Sequence, residues 1–321
     1  MEKGGASTDA TIFELLAATR CIEFGRRVEF IEETHGRSPD IRCHDPFPLQ
    51  IECKRRRALS DYEIAEEAAM RGIFLALERE ASAKGLSGRF TLELNAEVQP
   101  DQTNEIVGRL VGQRLAAHSE RALTYEWGAI TYQPLPRRVT LPDVTLLYSP
   151  NMLSYLFGWN SDIPRWDGIV CRLSGGGEAV VDQVSNPVAL LWSNSTGAAI
   201  QRRAWIPLDI FGDAMNQITP GEFAIVYLAY HEGARAEIAD RRVLGFLQKT
   251  KEEWYHAASI RVPISFLIRL YPRPLNHGQP DLIESTIPLY SASYGDRQLF
   301  EKFPANIFTM SPASRLEAAP E

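Results

Sequence analysis

Hydrophobic and polar residues alternate most regularly between residues 38 and 57, SPDIRCHDPFPLQIECKRRR. Apolar side chains occupy every second position over residues 41–43 and again over 49–53, which is the period of a strand with one buried face. The five residues between them, HDPFP, contain two prolines, which a turn accommodates and a central strand does not. The pattern therefore predicts a β-hairpin in this stretch.

A hairpin that closes symmetrically about Pro46 places Asp40 opposite Glu52. Directly opposed residues on one face of a sheet have their Cβ atoms about 4.5–5.5 Å apart. Because side chains alternate between the two faces, Lys54 shares the face of Glu52, whereas Cys53 points the other way into a core. We therefore expect two carboxylates and one ammonium group to converge on one face of the hairpin.

Two carboxylates this close repel each other, and at pH 7 one of them would prefer to hold a proton. A divalent cation removes that conflict, and oxygen ligands suit Mg²⁺ or Mn²⁺ better than zinc. A lysine beside the metal can orient or help to deprotonate an attacking water and can offset charge on a phosphoryl transition state. These three side chains therefore predict the chemistry of phosphodiester hydrolysis.

The motif Pro39-Asp40, followed after eleven residues by Glu52-Cys53-Lys54, resembles the PD-(D/E)xK nuclease superfamily, which includes type II restriction enzymes and archaeal Holliday-junction resolvases. A helical pattern over residues 10–25 and a short strand at 28–31 precede the motif. The superfamily has a helix carrying a glutamate in that place, and Glu14 is the best match, with Glu23 as the second choice. The resemblance covers roughly residues 10–85, about a quarter of the chain.

The resemblance implies an α/β fold, with a restriction-endonuclease-like mixed sheet flanked by helices and a large additional α+β region. It also implies a metal-dependent nuclease that hydrolyses nucleic acid, DNA in preference to RNA, and leaves a 5′-phosphate. Asp40 and Glu52 would hold Mg²⁺ or Mn²⁺, Lys54 would position or activate water, and Glu14 would support the metal site. Arg55, Arg56 and Arg57 run on directly from the motif, and we expect them to contact the substrate.

Two other interpretations remain open at this stage. The first is a catalytically inactive module of the same fold that binds nucleic acid or a partner protein. The second is an ordinary amphipathic hairpin in a scaffold protein, whose outer face happens to carry Asp, Glu and Lys. This last interpretation predicts that the side chains of Asp40 and Glu52 lie apart.

Composition changes this picture only in part. The 321 residues carry a net charge of −7, which argues against a protein that binds nucleic acid over its whole surface, although a local basic groove would still suffice. The 28 arginines outnumber the 6 lysines, and arginine suits bidentate contacts to phosphate. The four cysteines lack the spacing of a zinc site or a disulfide framework. With no apolar run of about 18 residues, we expect a cytoplasmic protein without a membrane partner, and a homodimer or a partner protein stays open.

The remaining pattern predicts how the chain is organised. A nuclease-like core covers residues 10–100, and its second helix, over 60–84, is expected to cross the sheet. A β-rich insertion or second subdomain follows over 101–204, then a C-terminal α/β part over 205–308 and a disordered tail over 310–321. The predicted helix at 207–217 and the apolar strand at 223–230 either complete the core sheet or belong to a separate domain.

Overall fold

The molecule is an α/β protein with two mixed β-sheets flanked by helices. The computed structural model describes residues 8–32, 38–45, 47–56, 60–96, 105–106, 108, 123–159, 165–174, 180–232, 235–256, 261–274, 280–290, 303–308 and 315–316. The helices with defined bounds are α1 (Thr8–Glu23), α2 (Asp61–Ala83), α3 (Pro150–Phe157), α4 (Gly197–Ala204), α5 (Ile206–Gln217) and α6 (Ala236–His256). The strands are β1 (Val28–Phe30), β2 (Ile41–Cys43), β3 (Leu49–Arg56), β4 (Gly88–Leu94), β5 (Leu123–Tyr125), β6 (Gly128–Pro134), β7 (Arg138–Leu146), β8 (Gly168–Ser174), β9 (Val180–Asn194), β10 (Phe223–His231), β11 (Arg261–Pro274), β12 (Pro280–Tyr290) and β13 (Arg315–Leu316).

The first sheet has seven strands in the order β1-β2-β3-β10-β11-β12-β13. Its β2–β3 hairpin is antiparallel, with Cys43 opposite Leu49 and Ile41 opposite Ile51, which is the symmetrical register that the sequence predicts. On the other side of β3, β10 runs parallel to it. Strand β10, which follows helix α5, therefore lies in the same sheet as the hairpin.

Both faces of β10 are buried, which explains its nearly continuous apolar sequence FAIVYLAYH. On one face Tyr227 packs with Phe13 of α1 and with Cys53 of β3. On the other face Val226 packs with Phe211 of α5, in a core that also includes residues of α6. The first sheet thus lies between α1 on one side and α5 with α6 on the other.

Helix α2 begins and ends where its sequence predicts. Ser60 forms a capping box, because its side chain accepts the Glu63 N–H at 3.2 Å while its own N–H donates to the Glu63 carboxylate at 2.8 Å. Gly85 follows the helix with φ +61°, a conformation that glycine adopts at little cost. The bounds of this helix are therefore set by local chemistry.

The packing of α2 differs from the expectation that it crosses the first sheet. Its buried side chains, including Met70, Ile73 and Leu77, pack instead against β4, β6, β8 and β9 of the second sheet. That sheet has the order β5-β6-β4-β9-β7, and β8 pairs with β9. The described strands of the first sheet come from two separated parts of the chain, residues 28–56 and 223–316.

A buried network of carboxylates and guanidinium groups joins elements of the two sheets, and we call it the charge network. Arg203 of α4 contacts both Glu63 and Glu66 of α2, Arg242 of α6 lies 2.7 Å from Glu232 after β10, and Arg235 lies 3.0 Å from Asp167 before β8. Trp192 of β9 and Tyr230 of β10 donate further hydrogen bonds to Glu66 and Glu232, at 3.1 Å each. The network therefore ties α2, α4 and α6 to the ends of strands from both sheets.

The pattern missed β12, because the region after residue 271 reads as Pro-rich and irregular. In the structure β12 runs antiparallel to β11, with a proline at its first residue and another at Pro288. Within the described residues, β13 pairs only with Ser285 and Thr286 of β12. Among these residues no strand pairs with the outer edge of β12 at Pro288, and a proline, which has no N–H to donate, is tolerated at such an edge. Arg315–Leu316, in the predicted disordered tail, form β13, and the rest of that tail lies outside the described residues.

In the part of the chain that the structure describes, no helix is both long enough and apolar enough to cross a membrane.

Candidate active site

A row of polar side chains follows one face of β3, and we call it the polar row: Gln50, Glu52, Lys54 and Arg56. This face lies against α5, so that Gln50 and Glu52 are completely buried. Beside the row, the neighbouring strand β10 contributes the apolar residues Ala224, Val226 and Leu228. Because a buried polar group costs free energy unless it is well paired, a polar row in such surroundings is a candidate for function.

The structure brings Asp40 and Glu52 together. Asp40 directly precedes β2, and its Oδ2 accepts a hydrogen bond from the backbone N–H of Cys53 at 2.7 Å, which fixes its carboxylate beside β3. Burial raises the pKa of Glu52 to about 8, and the negative charge of Asp40 contributes to the rise. The two carboxylates are thus electrostatic neighbours, contrary to what the scaffold interpretation predicts.

Lys54 is the positively charged side chain of this site. Its Nζ lies 2.7 Å from Oε1 of Glu52, and it donates a hydrogen bond to the side-chain oxygen of Gln217 at the end of α5. Burial lowers the pKa of Lys54, but the carboxylates of Glu52 and Asp40 outweigh it, so that the net shift is upward. Lys54 therefore stays an ammonium at neutral pH, which suits it to donate hydrogen bonds and to offset charge rather than to accept a proton.

The donor set fits a divalent cation. Glu52 is fully buried, and its Oε1 lies 2.7 Å from the ammonium of Lys54. The site contains one ammonium group and two carboxyl groups, so its net charge is negative when both carboxyl groups are ionised. Among the described residues no group of three or more His, Cys, Asp or Glu side chains is arranged to hold a metal. Asp40 and Glu52 would therefore be the ligands, and water or substrate would complete the coordination, as is usual for Mg²⁺.

The structure places Glu14 on the other side of the sheet. Its helix α1 packs against the face of β3 that carries Cys53, whereas Glu52 and Lys54 face α5. Burial raises the pKa of Cys53 well above its usual value, and the nearby charges of Asp40, Glu52 and Glu14 add to this. Glu14 is thus close to β3 without sharing the face of Glu52, and its supporting role stays a prediction.

The second choice, Glu23, forms an ion pair with Arg20 at 2.7 Å, one turn earlier on the same helix. This contact is a local pair near the end of α1, between residues three positions apart. No described contact links Glu23 to the polar row.

Arg55 and Arg56, which follow the motif, lie on opposite faces of β3. Arg55 lies over the ring of Phe308, 5.0 Å from its centroid, on the α1 side. Arg56 lies 3.3 Å from Asp209 of α5, on the side of the polar row. Arg57 lies outside the described residues. The two described arginines therefore each contact the protein itself, and their binding of substrate stays a prediction.

Two glutamines of this site, Gln50 and Gln217, were not predicted from the sequence. Gln50 has the same period along β3 as Glu52 and Lys54, and that period was the one signal that could have identified it. Gln217 is 163 residues from Lys54 in the chain, and nothing in its local sequence indicates the contact.

Comparison of the chain with protein-family models, with curated proteins and with solved structures gave no match.

Proposed function

We propose that this protein is a metal-dependent nuclease with a restriction-endonuclease-like core, which hydrolyses phosphodiester bonds of nucleic acid, and of DNA in the first place. One observation carries the proposal. The fully buried Glu52 lies beside Asp40 and the Lys54 ammonium, whose Nζ is 2.7 Å from its Oε1, and burial raises the pKa of its carboxyl group to about 8. A strongly shifted carboxyl pKa at such a cluster is typical of functional sites.

In this proposal Asp40 and Glu52 would hold Mg²⁺ or Mn²⁺. When bound, the cation supplies Lewis-acid polarisation of the phosphate and lowers the pKa of a bound water. The Cys53 N–H holds Asp40 in place from one side. Lys54, as an ammonium, donates a hydrogen bond to the water or to a phosphate oxygen and offsets the negative charge that develops there.

The strand order supports the proposed core. Helix α1, strand β1 and the β2–β3 hairpin follow one another along the chain, and α5–β10 then adds a parallel strand beside β3. In this interpretation the second sheet, together with α2, is an insertion between β3 and β10. The insertion would then carry contacts that select the substrate.

The second candidate is a module of the same fold that binds nucleic acid without cleaving it. One observation favours it over the nuclease: Lys54, the residue expected to act on the water, is already engaged by Glu52 and by Gln217. Such a module needs no divalent cation for binding, whereas the nuclease does. Dependence on Mg²⁺ therefore separates the two functions.

The test is cleavage of labelled single-stranded, double-stranded and branched DNA, and of RNA, with Mg²⁺, Mn²⁺ or EDTA. We expect metal-dependent cleavage, and we expect Asp40→Ala and Lys54→Ala each to lower kcat/KM by at least about 100-fold. Lys84→Ala is the matched control, because Lys84 is an exposed residue after α2 whose ion-pair distance to Glu80 is 4.0 Å. Cleavage that survives in both site variants would contradict the proposal, and binding without cleavage under every condition would favour the second candidate.

A further inference from the structure

The Lys54 ammonium is held from two sides. One acceptor is Oε1 of Glu52, at 2.7 Å, and the other is the side-chain oxygen of Gln217, the last residue of α5. An ammonium group has three N–H donors. The two contacts use two of them, and no third acceptor for Lys54 occurs among the described residues. The Lys54 side chain is 24% exposed, so part of it is open to solvent.

A second glutamine, Gln50, holds the turn that follows Gln217 against β3. The Gln50 side chain accepts the backbone N–H of Thr219 at 2.9 Å and donates to the Glu222 carboxylate at 2.6 Å. Arg42 lies 3.7 Å from the same carboxylate. Because Gln50 is completely buried, breaking these bonds would leave an unpaired amide in the core. Gln50, which lies two residues before Glu52 on β3, thus helps to fix the position of Gln217.

We propose that Gln217 is a positioning residue, which directs the free N–H of Lys54 at the attacking water or at a phosphate oxygen, and that Gln50 anchors the turn that holds it. This inference rests on the proposed nuclease function. A neutral acceptor suits the task, because it fixes the direction of the ammonium without cancelling its charge. The charge then remains to stabilise the transition state.

The decisive comparison is between two replacements of similar size. Gln217→Met keeps the volume and removes the acceptor, and Gln217→Glu keeps the acceptor and adds a negative charge. We expect Gln217→Met to lower kcat by about 10- to 100-fold, with KM nearly unchanged, because misdirection of a catalytic group costs about that much. We expect Gln217→Glu to retain more activity than Gln217→Met, because it keeps an acceptor for the Lys54 ammonium.

A purely structural role for Gln217 gives the opposite order. Methionine would then be tolerated beside the apolar core around α5, and a new carboxylate there would be the more harmful change. Gln201→Met, at an exposed position on α4, is the matched control for the loss of a helical glutamine. The melting temperature of each variant separates loss of folding from loss of direction.

A second readout does not depend on catalysis. In side-chain ¹⁵N NMR, the Lys54 ammonium is assigned by its loss in Lys54→Ala, and we expect its protons to exchange faster with water in Gln217→Met than in the wild type. An active wild type together with a fully active Gln217→Met would overturn this inference alone, and so would an unchanged ammonium signal. A wild type that cleaves none of the substrates would remove the proposed function, and this inference with it.

Discussion

The molecule contains two clusters of buried charge, and they are compensated to different degrees. In the charge network each carboxylate has a guanidinium group within 4.0 Å, as in the contacts of Arg203 to Glu63 and Glu66. Although burial lowers the pKa of Arg203, the surrounding carboxylates raise it more. In the candidate site one ammonium faces two carboxylates, and burial moves the pKa of Glu52 to about 8.

The difference indicates what each cluster does. A buried ion pair with well-placed partners contributes to the arrangement of the fold, and removing one partner leaves an uncompensated charge. A buried carboxylate that lacks positive charge destabilises the protein until a ligand supplies that charge, which is a reason to assign it to function. We therefore expect substitutions in the charge network to act on stability, and those in the candidate site to act on metal binding and activity.

The largest effect on stability is expected from Arg203→Met. It leaves Glu63 and Glu66 buried with less positive charge beside them, and such a loss costs about 3–5 kcal/mol. Urea denaturation measures the free energy of unfolding. Arg202→Met is the matched control, since the neighbouring side chain is exposed on the same helix and lies over the ring of Tyr62. Equal stability of the two variants would contradict the conclusion that the charge network stabilises the fold.

The next effect is a pH dependence of stability in EDTA. Because the pKa of Glu52 is raised from 4.5 to about 8, the folded state keeps a proton that the unfolded state loses. Stability from this group is fully present below pH 4.5, falls as the pH rises, and is lost above about pH 8. We expect a decline of up to a few kcal/mol across this window. Glu52→Gln should flatten it, and a wild-type curve equal to that of Glu52→Gln would contradict the assignment.

Addition of Mg²⁺ should reverse part of that decline. The cation competes with the proton on Glu52, so its apparent affinity should rise by up to about tenfold per pH unit below pH 8. At a concentration 100 times the Kd, stabilisation is about 2.7 kcal/mol. Thermal unfolding with and without Mg²⁺ at pH 6 and pH 8 measures both effects. An equal shift in Glu52→Gln would show that the cation binds elsewhere.

The smallest effect is expected at the partly exposed pair of Arg56 and Asp209. Pairs of this kind contribute about 0.2–1 kcal/mol, so Arg56→Gln should change the free energy of unfolding by no more than that. If Arg56 also contacts the substrate, KM should rise and its dependence on salt should weaken. Asp209→Asn is the control, because it breaks the same pair and keeps the arginine. Two variants with equal KM would assign Arg56 to structure alone.

The sequence predicts those features that local periodicity and capping determine. The register of the hairpin follows from the period of apolar residues, and the bounds of α2 follow from Ser60 and Gly85. The strand predicted at 223–230 follows from its continuous apolar run, and the structure has it at Phe223–His231. The meeting of Asp40 and Glu52 follows from the same register. The register of the hairpin and the bounds of α2 depend on contacts between residues close in the chain, and the strand is recognisable from its own apolar run.

The features that the sequence does not reveal depend on distant partners. Helix α2 has an amphipathic pattern that either sheet would satisfy, and the strands of the second sheet against which it packs include β8 and β9, more than 80 residues further along the chain. The contact between Lys54 and Gln217 and the pairing of Arg203 with Glu66 span 163 and 137 residues. A single polar residue carries no local mark of such a partner.

The most direct test of the central claim is Mg²⁺-dependent cleavage by Glu52→Gln, measured on the best substrate of the panel against wild type and an exposed control, Glu93→Gln on β4. The account predicts that wild type and Glu93→Gln cleave with Mg²⁺ and stop with EDTA. It predicts that Glu52→Gln loses at least about 100-fold in kcat/KM while it unfolds no more easily than the wild type above pH 8. A folded Glu52→Gln that cleaves as fast as the wild type would contradict the assignment of this site.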